Sequence, residues 1–217
     1  MSTLRYIRDN WDTLGPETQN HIRIVVICML VSGAIGLLLG VVAARNQRFA
    51  GVSLGITSTI LTVPSLALFG LLTIWLGLSD TPVIIGLVLY ALLPTLRNTR
   101  TGIRAVEPAV IEAARGMGMR PWQVLLRVEL PLALPVILAG LRQATVMVIA
   151  ITTVGSEFGS DNLGRPIFSA VGRTTGSYER LLSGLLPVAA LGILADASLA
   201  LVQRLLSRGR ITSVPAT

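Results

Sequence analysis

The chain carries very few side chains that could do chemistry. It has one histidine, His21, one cysteine, Cys28, and 18 basic residues, every one of them arginine. Without lysine there is no P-loop, whose lysine must reach the nucleotide phosphates. One histidine and one cysteine cannot assemble a metal cluster, and Cys28, in an apolar run, reads as a small apolar side chain. No Ser-His-Asp arrangement stands out, so no catalytic residue, metal or cofactor is expected on this chain. Two features remain. Arg142 and Asp196 each interrupt an apolar segment, and the stretch EAARGMGMRPWQVLLRVELP (residues 112–131) places charge, paired glycines and proline between apolar segments.

The elements that must position these residues follow from composition. Of 217 residues, 52% are hydrophobic and 13% charged, with a mean hydropathy of +0.72. A soluble domain carries about 25% charged residues. The expected class is therefore an all-α integral membrane protein, a single transmembrane domain over residues 1–217. A span needs about 20 apolar residues, and five segments qualify: Ile24–Ala44, Gly51–Gly77 with a kink at Pro64, Thr81–Leu96, Leu134–Ser156 and Leu185–Gln203. The net charge of +7 forms no continuous basic face, so membrane topology explains it and nucleic acid is not an expected partner. Residues 1–21 are polar and of mixed charge, unlike a secretory signal.

Arginine distribution sets the orientation. Arg45, Arg48, the six arginines from Arg97 to Arg127, Arg204, Arg208 and Arg210 fall on one side; Arg5, Arg8, Arg23, Arg165, Arg173 and Arg180 fall on the other, diluted by acids. The positive-inside rule makes the first group cytosolic. This reading gives an external N-terminal tail (1–23), a cytosolic loop (97–133), an external loop (157–184) and a cytosolic C-terminal tail (204–217). Ser32, Gly36, Gly40 and Ala44, then Gly51 and Gly55, recur every four residues. That spacing lets helix backbones approach closely in lipid, within one subunit or across a dimer seam.

The cytosolic stretch has the makings of a docking element. Pro108 suits the first turn of a helix, Gly116 or Gly118 can end it in the left-handed conformation, and Pro121 can begin a second. Trp122, Leu125 and Leu126 are expected on one face of that second helix. Ala113 and Ala114 leave a surface that a partner can approach, rimmed by Glu112 and Arg115.

Charge within a bilayer is costly and is usually paired or faces water. Arg142 lies eight residues after Leu134 and Asp196 eight before Arg204, so at about 1.5 Å per residue both sit about 12 Å from one boundary. Equal depth on consecutive antiparallel helices predicts an ion pair; snorkelling of Arg142 and a cavity or hydroxyl for Asp196 is the alternative. Pro64, Ser65, Trp75, Tyr90, Thr152 and Thr153 are candidates to line a substrate pathway. Aromatic faces hold quaternary amines, although interface anchoring or packing is the plainer role for Trp75 and Tyr90.

Glu112-Ala113-Ala114, Gly118, Val128 and Leu130-Pro131 resemble the EAA motif of ABC importer permeases, with Val where the motif has Ile. TVPSLALFGLL, LYALLPTLRNTRTGIRAVEP, IEAARGMGM and LLPVAALGILAD resemble the glycine betaine/carnitine/choline (osmoprotectant) branch. Ser160-Asp161-Asn162 departs from the glycine-rich run of that branch. The resemblance implies a type I ABC importer permease fold of about five helices, with Glu112, Ala113, Ala114, Arg115, Gly116, Met117 and Gly118 as the ATPase-coupling helix. It implies cytosolic ATPase subunits that bind the ATP and magnesium, a second permease subunit (identical or homologous) and an extracytoplasmic substrate-binding protein, in a prokaryotic inner membrane. A permease for amino acids such as methionine, or for another small cation, stays open. So does a stand-alone secondary transporter or channel, although inverted repeats and several buried ionisable groups would mark one.

Overall fold

A computed structural model describes residues 3–171 and 177–207. Among them the chain is mostly helical and has no strand. A short helix, α1 (Thr3–Asp9), leads into α2 (Trp11–Arg45), which at about 1.5 Å per residue is longer than the roughly 30 Å of hydrocarbon it has to cross. The expectation of a polar tail over residues 1–23 is corrected here. Leu14, Glu17 and His21 of this stretch are buried, so its polar residues extend the first span as a packed helix.

The expected second span is likewise revised. It divides into α3 (Gln47–Thr62) and α4 (Ser65–Leu76), which meet at 97°. This is a break rather than a kink, because Pro64 lacks an N–H and forces the preceding residue into extended backbone, seen at Val63 with φ −70° and ψ 129°. The carbonyl of Val63, freed by the break, accepts a hydrogen bond from the Tyr90 hydroxyl at 2.8 Å.

Helix α5 (Asp80–Arg104) passes through the centre of the bundle. Its most apolar window is the least apolar of the four long spans, with mean hydropathy 1.3, yet it is the most buried. Both facts have one cause: Thr95, Asn98 and Thr99 face other helices instead of lipid. A Cβ placed on Gly36 of α2 would lie 2.1 Å from Thr95 Oγ1, and one on Gly40 would lie 2.4 Å from Thr99 Cβ. The first small-residue stripe thus packs within the subunit. Gly51 and Gly55 on α3 meet nothing within 4 Å.

Much of the segment expected as a loop over 97–133 is helical. α5 continues to Arg104, and after α6 (Pro108–Gly116) and the turn comes α7 (Pro121–Val124), which runs through a π-helical turn (Leu125–Glu129) straight into α8 (Leu130–Thr152). The helix that carries the fourth expected span, Leu134–Ser156, therefore begins as far back as Pro121. A 3₁₀ turn (Thr153–Phe158) and α9 (Gly164–Ala170) occupy the next connection, and α10 (Ser177–Ser207) closes the fold. Residues 172–176 of the expected external loop and residues 208–217 of the expected C-terminal tail lie outside the described residues, as do Arg173, Arg208 and Arg210.

Candidate functional site: the coupling segment and its supports

Helix α6 begins with Pro108 at its first position and ends at Gly116. Gly118 follows with φ +81°, the left-handed region that glycine adopts without strain, and the Met119 N–H returns to the Ala114 carbonyl at 3.2 Å. The second helix restarts at Pro121, where the Gln123 side chain accepts the Arg120 N–H at 2.7 Å. The result is two short helices joined by a glycine turn. On α6, Ala114 is buried against the body, whereas Glu112, Ala113, Arg115 and Gly116 are exposed, and Met117 just beyond is 72% exposed. A charged, small-residue face therefore projects from the bundle.

The residues expected on one face, Trp122, Leu125 and Leu126, lie largely outward, with Leu125 half-buried. Trp122 and Leu126 are more than half exposed, and Val124 takes the inner position at 2% exposure. The π turn follows, with i→i+5 bonding from the Leu130 N–H to the Leu125 carbonyl, which inserts a residue into the helical register.

That same turn buries Glu129 completely. Its Oε2 accepts from Arg45 Nη2 at the end of α2. Neither Arg45 nor Glu129 was picked out by sequence reasoning. The only available signal was an acid next to Leu130-Pro131, in a segment where acids usually face water.

Arg142 and Asp196 meet as a fork on a carboxylate. Arg142 Nε donates to Asp196 Oδ1 and Nη2 to Oδ2, both at 2.9 Å, the bidentate geometry that makes arginine–carboxylate pairs strong. Arg142 Nη1 also donates to Gln203 Oε1 at 2.9 Å, and Gln203 Nε2 donates to the Pro135 carbonyl at 2.8 Å. The pair and its amide bridge fasten α10 to α8.

Of the six candidate pathway residues, Pro64, Ser65 and Tyr90 meet at the α3–α4 break, and Trp75, Thr152 and Thr153 do not join them there. Tyr90 is buried and its hydroxyl serves the α3–α4 break. Thr152 is buried with its hydroxyl on the Val148 carbonyl at 2.7 Å, and the Thr153 hydroxyl goes to the Ala150 carbonyl at 2.7 Å. Trp75 is 82% exposed near the end of α4, and Pro64 and Ser65 form the break itself. The Ser160-Asp161-Asn162 departure is structural. Asn162 is buried, its Oδ1 accepts from the Gly164 N–H at 2.8 Å, and the Asp161 carbonyl accepts from Asn20 Nδ2 at 3.0 Å.

A family of proteins described as binding-protein-dependent transport system inner membrane components matches residues 36–208. The chain belongs to this family. As such a transport component, it is 38% identical over 221 residues, all of this chain and 99% of the relative, to the carnitine transport permease protein OpuCD of Listeria monocytogenes serotype 1/2a (strain 10403S). It is 39% identical over 202 residues, 93% of this chain and 88% of the relative, to the glycine betaine/carnitine/choline transport system permease protein OpuCD of Bacillus subtilis (strain 168). Among solved structures, an inward-facing conformation of the MetNI methionine ABC transporter superposes with a TM-score of 0.79 at 19% identity, covering 90% of this chain and 97% of that one. The fold of this transport component is thus that of the type I ABC importer permeases, an all-α membrane architecture of four to five spans.

Proposed function

We propose that the chain is the permease subunit of an ATP-driven importer of osmoprotectants of the glycine betaine, carnitine or choline type. Relatives 38–39% identical over nearly the whole chain are carnitine and glycine betaine/carnitine/choline permeases, which supports the cargo. The coupling role rests on one observation: the α6 face bearing Glu112, Ala113 and Arg115 projects from the bundle, while the left-handed turn at Gly118 anchors its far end.

In this reading Glu112–Gly118 docks on a cytosolic ABC ATPase, which binds ATP and magnesium. Closure of the ATPases displaces α6 and switches the pathway from outward- to inward-facing. Arginine distribution puts the N-terminus outside and the C-terminus in the cytosol. A second permease subunit covers the open α3 face at Gly51 and Gly55, and an extracytoplasmic binding protein delivers cargo. With only 5% aromatic residues, the permease offers a weak cation site, which leaves tight recognition to that binding protein.

The test is uptake of radiolabelled glycine betaine in cells deleted for the gene and complemented with it, with choline, carnitine and methionine as competitors. Competition by the quaternary amines and none by methionine is expected. Efficient competition by methionine alone would overturn the substrate class. Crosslinkers at Ala113→Cys or Met117→Cys should capture the ATPase in intact cells, and their failure to do so would remove the docking role.

A further inference from the structure

Two cavities flank the coupling segment. One, of about 550 Å³, is lined by Val41, Arg45, Arg115, Trp122, Leu125 and Glu129 among others. The second, of about 310 Å³, is lined by Arg45, Ile103, Pro108, Glu112, Arg115 and Glu129 among others. Three side chains line both, so Arg45, Arg115 and Glu129 form the partition between them. Arg45 ends the first span, Arg115 belongs to α6 and Glu129 to the π turn below the fourth span. Around this partition the coupling helix has room to move.

Glu129 is unusual in two respects. It is 0% exposed, and of its two carboxylate oxygens only Oε2 is engaged, by Arg45. Oε1 is buried and has no hydrogen-bond partner among the described residues. An unsatisfied buried acceptor is costly, and a carboxylate can accept from two guanidinium groups. It sits in a π turn, an irregularity frequent at functional sites. Arg115 lines the same partition from α6.

We propose that Glu129 is the positioning residue through which coupling-helix motion enters the membrane domain: in this conformation it holds Arg45, and when α6 is displaced its carboxylate takes Arg115 and releases Arg45. The exchange re-ties the π turn from the first span to the coupling helix. Because the π turn is continuous with α8, the pull passes into a membrane helix. This proposal rests on the coupling role of α6 proposed above.

The experiment uses the permease with its co-expressed ATPase and binding protein in membrane vesicles, in a Cys28→Ser background. The pairs Arg45→Cys/Glu129→Cys and Arg115→Cys/Glu129→Cys are oxidised without nucleotide and after trapping with ATP and vanadate. The first pair should link efficiently without nucleotide and several-fold less when trapped, and the second should do the reverse. Equal yields in both states for both pairs would overturn the exchange. In parallel, Glu129→Gln, which keeps the shape and loses the charge, should lower glycine betaine imported per ATP hydrolysed about tenfold. Glu129→Asp should recover part of that ratio, and unchanged ratios in both variants would also overturn the proposal. The ATPase crosslink at Ala113→Cys is the separating control. If it persists while the cysteine pairs fail, only the Glu129 exchange falls; if it is absent, the docking role of α6 falls with it.

Discussion

Gly116 and Gly118 stand two residues apart at the end of α6 and differ in one respect. A Cβ on either would meet nothing within 4 Å, so no clash separates them. Gly116 is the last residue of a right-handed helix, whereas Gly118 has φ +81°. An L-residue in the left-handed region costs roughly 1–2 kcal/mol, with the β-branched residues at the upper end. At a helical position, alanine is favoured over glycine by about 0.5–1 kcal/mol. Since 1.4 kcal/mol is about a tenfold change in an equilibrium, Gly118→Ala should reduce the turned conformer roughly fivefold and Gly118→Val more than tenfold. Gly116→Ala should leave it unchanged or favour it. Asparagine tolerates this region, so Gly118→Asn should fall between wild type and alanine. The assay is ATP-driven glycine betaine uptake in vesicles, normalised to membrane level by immunoblot, with ATP hydrolysis measured alongside. Uptake should follow the order Gly116→Ala, Gly118→Asn, Gly118→Ala, Gly118→Val, with membrane levels equal. Normal uptake in Gly118→Val, or equal damage from Gly116→Ala, would refute the reasoning, because backbone handedness is all that distinguishes the two sites.

Other outcomes follow from the packing. Asp196→Asn and Arg142→Gln should each lower thermal stability in detergent, and the exchange of Arg142→Asp with Asp196→Arg should restore part of it; no recovery in the exchange, with stable single variants, would mean the pair does not fasten α10 to α8. Gly36→Leu should destabilise the subunit by roughly 1–3 kcal/mol through overpacking against Thr95, read as a lower unfolding midpoint. Gly55→Leu, on the open face of α3, should leave that midpoint in place and instead weaken permease–permease crosslinking.

Much of this protein was legible in its sequence because the bilayer imposes strong rules. Charge-free runs had to be helices, since backbone groups in lipid can be satisfied only locally. Pro108, Gly118 and Pro121 punctuate the stretch from α6 to α7 through their own covalent geometry, which needs no neighbours. Arg142 and Asp196 stood out because charge in an apolar run demands a partner, and equal depth suggested which one.

Tertiary contact decided the remainder. The carbonyl that the Pro64 break frees at Val63 finds its donor on Tyr90, 26 positions beyond Pro64, a pairing that no local rule displays. The polar opening residues become helix because Glu17 and His21 find burial against other elements. The two small-residue stripes read alike, yet Gly36 and Gly40 are filled by Thr95 and Thr99 while Gly51 and Gly55 stay open. Glu129 reads as an ordinary surface acid until a π turn rotates it inward against Arg45. Local rules act through covalent geometry and solvent, and a sequence displays both. Which surfaces meet depends on long-range packing, which appears only when the helices are assembled.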